Sequence, residues 1–220
     1  MKHRHGIIST TGAYPLSASL DSVGPIANTV NYARELFECL SGRNTGGSKP
    51  SILSGLQFAI PIGNFHSDMD RSTQMHFELA IKKLSDAGVR IVEINLDRVW
   101  DNMLAAFPSP LVTIEAAAIH HEHMRLRRAE IDTRVADRIE LGLKCLAADY
   151  INGMKERNVL IEAMTTLVKQ YDAVVTPTVP IVAPLQSAPL IQPEPFPRIN
   201  HPTLLTPSFS NLFDPLHFSP

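Results

Sequence analysis

The sequence predicts an α/β fold, on three observations. Two apolar stretches, LQFAIP (Leu56 to Pro61) and VRIVEINL (Val89 to Leu96), flank a segment whose apolar residues repeat at helical spacing. A third short apolar stretch, DAVVTP (Asp172 to Pro177), is stopped by proline. Most of the chain from Ser109 to Tyr171 reads as helix. Strand, helix and strand with short joints imply parallel strands and a right-handed crossover. The chain must return along the sheet before it can pair in the same direction.

Taken in order, Ile26, Val30, Ala33, Leu36, Phe37 and Leu40 recur at helical spacing. Pro25 suits a first helical turn, where its missing N–H would have no partner anyway, and Gly42 suits the position past the end. The predicted helix runs from Pro25 to Leu40. SGRNTGGSKPS follows as a linker. Its glycines and Lys49 stand in the wrong order for a phosphate loop, which needs glycine, lysine, then serine or threonine at the mouth of a helix. Phe77, Ala80, Ile81, Leu84 and Ala87 mark the crossover helix, closed by Gly88.

Ser109 and Pro110 cap and start a helix carrying Leu111, Ile114, Ala118 and Leu126. A shorter helix holds Val135, Ile139 and Leu146. A long one holds Tyr150, Ile151, Met154, Ile161, Met164, Leu167 and Val168. Eleven of the 17 prolines lie between Pro177 and Pro220. Proline fixes φ and lacks a donor, so this tail is extended or irregular.

Composition bounds the function. The chain has 220 residues, 44% of them hydrophobic, enough for a sizeable core. A formal charge of -2 without a long run of one sign argues against direct binding of nucleic acid. No apolar run reaches the length of a membrane span, and MKHRHGIISTTG has no apolar stretch behind its basic residues. Cys39 and Cys145 both fall in predicted helices and read as buried free thiols of a reducing compartment. The expected location is cytoplasmic.

His120, His121 and His123 surround Glu122 on a helix. A zinc-protease helix spaces its histidines four apart with glutamate after the first. His120 and His123 are three apart, so a polar helix face is expected and no metal site. Arg125, Arg127 and Arg128 read as a solvated helix end. A serine nucleophile needs a base and donors for the developing oxyanion. Ser17 and Ser19 have no local partner that identifies them, and there is no G-x-S-x-G elbow. Composition and spacing alone end at an α/β domain of unknown function.

The stretch GAYPLSASLDSVGPIANTVNYARELFECLSG adds more. It resembles the segment of amidase signature enzymes that reads roughly G-x-x-P-L-S-x-S-L-D-x-x-G-P-x-A-R-T-V-x-D-A. Pro15, Leu16, Ser17, Ser19, Leu20, Asp21, Gly24, Pro25, Ala27, Thr29 and Val30 match, while Asn28 replaces the usual arginine. Lys2, Gly6, Ser9 and Thr10 fit the family's lead-in. IEAAAIHHEHMRLRR is similar to its E-A-A-x-x-H helix. Asp149, Tyr150, Arg157, Tyr171, Asp172, Thr176, Pro177, Thr178, Pro180, Ala183 and Pro184 follow a second family pattern, D-Y-x-x-A-x-x-x-R followed by Y-D-A-x-x-x-P-T-x-P-x-x-A-P.

The resemblance implies an α/β/α fold, a twisted mixed sheet between helical layers, incomplete at both ends in this chain. It places residues 1–184 in the C-terminal part of an amidase domain. Residues 185–220 become a Pro-rich irregular segment and the truncated start of the family's terminal sheet region. Family chemistry is amide hydrolysis to acid and ammonia through a lysine, a bridging serine and a nucleophilic serine, with no cofactor. The resemblance puts all three N-terminal to the segment that opens here, so no catalytic residue is expected. Ser17, Ser19 and Lys2 align with later, non-catalytic positions.

Substrate-binding residues stay unassigned. Phe107, His120 and the stretch Thr176 to Pro180 are the candidates for a pocket wall, each read more readily as core or turn. SNLFDPLHFSP departs from the family's N-L-x-G-L-P-A, with Asp214 where glycine is usual. The expectation is a fragment of a cytoplasmic amidase acting on a small-molecule amide, inactive alone. Its partner would be a second copy or the missing N-terminal half. The alternatives are part of a tRNA-dependent amidotransferase A subunit, or a non-catalytic binding or assembly protein. Missing sheet neighbours would expose edges and apolar faces, giving poor solubility, partial order in the tail or dependence on a partner.

Overall fold

The computed structural model describes residues 5–46, 52–63, 69–183 and 212–213. The expectations at Lys2, Lys49, Pro184 and Asp214 lie outside these residues, as does most of the 185–220 segment. The chain divides into two compact units. The first holds Met1–Pro50 and Met103–Val159, the second Ser51–Asn102 and Leu160–Pro220.

In the second unit, β1 (Gln57–Ile62), α1 (Arg71–Asp86) and β2 (Arg90–Asn95) form the predicted strand-helix-strand unit. A short β3 (Ala173–Val174) completes a sheet of order β2-β1-β3. All the described strands are parallel, with Phe58 opposite Ile91 on one side and Ala173 on the other. Central β1 therefore reads as a continuous apolar run, since neighbours lie on both edges. Ala59, Ile60 and Pro61 are buried along it. Asp172 clamps the β1 start by accepting from Gln57 N at 2.7 Å and donating its own N–H to Gln57 O at 2.8 Å.

α1 begins earlier than the apolar spacing suggests. Asp70 is its cap, accepting from Thr73 N at 2.6 Å, so the helix starts at Arg71 rather than near Phe77. The first turn carries polar residues that face solvent and leave no hydrophobic period to read. The helix stops where Gly88 takes φ 91, a left-handed value that favours glycine. Asp70 also ties down the chain after β3. Its N–H donates to Pro180 O at 2.9 Å and its carboxylate accepts from Val182 N at 2.7 Å.

A helix that the sequence pattern does not predict, α2 (Asp97–Ala105), follows β2. Val99, Trp100 and Met103 are all buried on it, a short helical period that begins directly after a strand. Trp100 packs against Phe213, ring centroids 6.4 Å apart, and Phe213 is fully buried.

The first unit is helical. α3 (Val30–Ser41) starts five residues later than Pro25, because Thr29 accepts from Tyr32 N and is the true cap. Pro25 is buried in the irregular stretch that leads to the helix instead. α4 (Leu111–Arg127) and α5 (Thr133–Gly142) pack through Ala116, Ala117, Met124, Ala136 and Ile139. Gly142 makes this contact close, since a Cβ there would meet Thr113 O at 2.2 Å. Ser109 does not cap α4: its hydroxyl is buried without a hydrogen-bond partner, and Pro110 holds the cap position without a side-chain bond. Leu146 lies past the end of α5 and is exposed, not part of that helix. α6 (Ala147–Val168) runs from the first unit into the second.

Cys39 and Cys145 are free thiols, but neither is buried as expected. Cys39 lies on the solvent side of α3, and Cys145 lies between α5 and α6 rather than in a helix.

Candidate functional site

A buried polar group in the first unit gathers around Glu115, in the second turn of α4. Its neighbours Ile114, Ala116 and Ala117 are buried, and Glu115 itself is only 5% exposed. A carboxylate in that position requires partners, because burying an unpaired charge is costly. Three donors meet it. The Ser17 hydroxyl and the Ser19 N–H both donate to Oε2, the latter at 3.0 Å. The Tyr150 hydroxyl on α6 donates to Oε1 at 2.9 Å.

The segment carrying Ser17 is held from within as well. Asp21 accepts from Leu16 N at 2.8 Å and from Ser17 N at 2.9 Å, closing the turn. Further along α4, His120 Nε2 lies 2.9 Å from Pro15 O, and the Tyr14 ring stacks on the imidazole at 5.3 Å. Glu115 and His120 thus grip the same segment, Tyr14 to Ser19, from one helix.

The electrostatics follow from this geometry. Burial works to raise the Glu115 carboxyl. The Ser17 hydroxyl, the Ser19 N–H and the Tyr150 hydroxyl outweigh it and hold the group below its ordinary value. Tyr150 moves the other way, pushed up to about 12 by burial and by the carboxylate beside it. A carboxylate held low is a poor base, and Ser17 has no exposed surface for a substrate to reach. The arrangement is a clamp that fixes a turn.

Each candidate named from the sequence can be placed. Ser17 is fully buried and bonded to Glu115, Ser19 contributes its N–H, and Asp21 closes the turn. His120 serves Pro15 as described, while exposed Glu122 pairs with Arg125 at 2.9 Å. Among the described residues, no three His, Cys, Asp or Glu side chains gather where a metal ion could be held. Phe107 is buried against Gly153, where a Cβ would meet its ring at 2.5 Å. In the second unit, Thr176 is half-buried, Pro180 is buried and Thr178 is exposed. Sequence reasoning misses Glu115. A helical glutamate ordinarily faces solvent, but one flanked by Ile114, Ala116 and Ala117 is a legible signal of burial.

The family model described as Amidase matches residues 1–200. The chain belongs to the amidase family. Among curated relatives, the A subunit of the glutamyl-tRNA(Gln) amidotransferase of Thermotoga maritima is 27% identical, over 83% of this chain and 45% of the relative. A 2-amino-5-chloromuconic acid deaminase of Comamonas testosteroni is 26% identical, over 92% of this chain and 44% of the relative. A solved amidase structure superimposes with a TM-score of 0.79 at 24% identity, covering 97% of this chain and 48% of that one. The chain therefore shares the amidase α/β fold and spans about half the length of the relatives it matches. No helix among the described residues is long and apolar enough to cross a membrane.

Proposed function

We propose that these residues form the part of an amidase that carries no nucleophile. The whole enzyme hydrolyses a small carboxamide to an acid and ammonia in the cytoplasm. A lysine, a bridging serine and a nucleophilic serine supply the chemistry, and all three lie outside residues 1–220. The neutral lysine takes a proton through the bridging serine, the nucleophile attacks the carbonyl, and water resolves the acyl-enzyme. In this reading residues 1–184 belong to the amidase domain, and 185–220 begin its terminal sheet region.

The observation that carries the reading is the commitment of Ser17 to Glu115. The serine-rich stretch that marks the family in this chain is spent on fixing a turn. The matching span, about half of each relative, supports it.

The test is ammonia release from a panel of small carboxamides. Two chains are compared: the 220-residue chain, and the same chain extended by the codons upstream of Met1 in its reading frame. The chain alone is expected to release none, and an extension that brings a glycine-serine-rich loop is expected to release ammonia. Turnover by the chain alone, or an extension without such a loop, contradicts the reading.

The Thermotoga maritima relative favours a second reading, part of a tRNA-dependent amidotransferase A subunit. Co-purification with the other subunits of such a complex supports it, and isolation as a free chain that acts on simple amides once extended counts against it.

A further inference from the structure

α1 lies over one face of the sheet without sealing it. Side chains alternate between faces along a strand, so Ile60 and Ile62 of β1 share a face with their β2 partners Glu93 and Asn95. Phe77 and Ile81 of α1 are half-buried against that face, yet no residue of α1 is fully buried. A cleft of about 480 Å3 remains between helix and sheet, with Ile60, Ile62, Met69, Phe77 and Ile81 as its apolar walls. All of it lies within the second unit. Its volume falls in the range of small-molecule sites, roughly 300–1,000 Å3, whose apolar walls carry a few polar groups that orient the ligand.

The charged groups of the cleft leave one sign unmatched. Glu78, Lys82 and Glu93 also line it, and all three are exposed. Lys82 is committed to Asp86, donating to its two oxygens at 2.9 and 2.8 Å. Glu78 accepts from Gln74 Nε2 at 2.9 Å, a neutral donor that does not offset the carboxylate charge. Glu93 has no ion-pair partner among the described residues. A glutamate there is unusual, because a parallel strand covered by its crossover helix ordinarily carries apolar residues on that face. An apolar cleft edged by two carboxylates repels an acid and suits an organic cation. Among the described residues, no third His, Cys, Asp or Glu joins the pair to hold a metal ion.

We propose that this cleft binds a small organic monocation, an ammonium group on an aryl or alkyl body. The body lies between Ile60 and Ile62 of the sheet and Phe77 and Ile81 of α1, and the ammonium faces Glu93 and Glu78. The inference does not rest on the amide-hydrolysis reading, and its failure leaves that reading untouched.

The experiment titrates the full chain, labelled at its isoleucine methyls, with three probes that share one body: phenylpropylammonium, phenylpropanol and phenylpropanoate. Nuclear magnetic resonance follows the methyl shifts. The ammonium is expected to shift the Ile60, Ile62 and Ile81 methyls saturably, the alcohol to bind more weakly and the carboxylate to leave them unmoved. Glu93→Gln should weaken the ammonium about threefold, the size of one exposed ion pair. Glu162→Gln, which removes an exposed α6 carboxylate outside the cleft, should leave its affinity unchanged. Equal affinity for the alcohol and the ammonium would overturn the cation preference. Equal weakening by the two variants would reduce the effect to overall charge and overturn the site. So would shifts that miss these three methyls, or no saturable shift. The comparison of probes uses wild type alone and decides the matter even where a variant fails to fold.

Discussion

The Ser17 hydroxyl donates to Oε2 of Glu115 across 98 positions of chain. Both groups are buried, so the bond fastens the family's serine-rich turn to the second turn of α4. Glu115 thereby serves three donors at once. Replacing it with alanine strands the Ser17 hydroxyl, the Ser19 N–H and the Tyr150 hydroxyl together. The expected cost is about 3 kcal/mol, since each buried unsatisfied donor costs about 1–3 kcal/mol. Glutamine retains one carbonyl acceptor and should cost about half as much. Urea unfolding followed by circular dichroism measures both.

The same clamp sets a pH dependence. The Glu115 carboxyl is held below its ordinary 4.5 in the folded chain. Its contribution is therefore fully present above that value and is lost as pH falls through the lower folded value. Tyr150 has the opposite sign. Its hydroxyl is raised from 10 to about 12, so its contribution is present below pH 10 and is lost as pH rises through 12. Unfolding profiles of Glu115→Gln should show a smaller acid arm, the remainder coming from other carboxylates held low such as Asp132, and those of Tyr150→Phe a smaller alkaline arm. Ultraviolet titration of wild type should show a tyrosine ionising near 12, absent from Tyr150→Phe.

Ser17 and Ser19 should differ, although both stand in the same motif. Ser17→Ala removes the hydroxyl bonded to Glu115 and is expected to cost about 1–2 kcal/mol. Ser19 contributes its N–H to Glu115, which alanine keeps, so Ser19→Ala should cost less than about 0.5 kcal/mol. Paired thermal melts distinguish them. Equal losses would contradict the geometry.

Two helical glycines set close approaches, Gly142 between α5 and α4 and Gly153 between α6 and the turn that follows α2. A Cβ at Gly142 would lie 2.2 Å from Thr113 O and 2.8 Å from Ala117 Cβ. At Gly153 it would lie 2.5 Å from the Phe107 ring and 2.6 Å from Ala106 O. Alanine is the better helix former, yet here each substitution should destabilise by about 1–3 kcal/mol through overpacking. A rise in melting temperature for either variant would show that the packed segments can separate without loss.

Much of the fold is legible because its periods are local. The strand-helix-strand unit shows itself in two apolar runs, one helical repeat and Gly88. The bounds of β1 and β2 fall within one residue of the expectation. The errors have physical causes. The proline rule puts the start of α3 at Pro25, but Thr29 satisfies a backbone donor and decides the boundary. The start of α1 is invisible because its first turn is polar and depends on Asp70. The clamp is not legible, because it joins residues about a hundred positions apart, and neither Ser17 nor Glu115 announces a partner locally. The apolar spacing of α3 reads as a core face, yet Tyr32, Leu36 and Leu40 face solvent in this chain.

The central proposal is that Ser17 and Ser19 serve the turn held by Glu115 and that no residue of this chain is a nucleophile. A serine-directed fluorophosphonate, which acylates only activated hydroxyls, tests it most directly. Intact-mass spectrometry of the folded 220-residue chain after treatment should show the unmodified mass alone. A stoichiometric adduct mapped to Ser17, Ser19 or any other serine of the chain would contradict it.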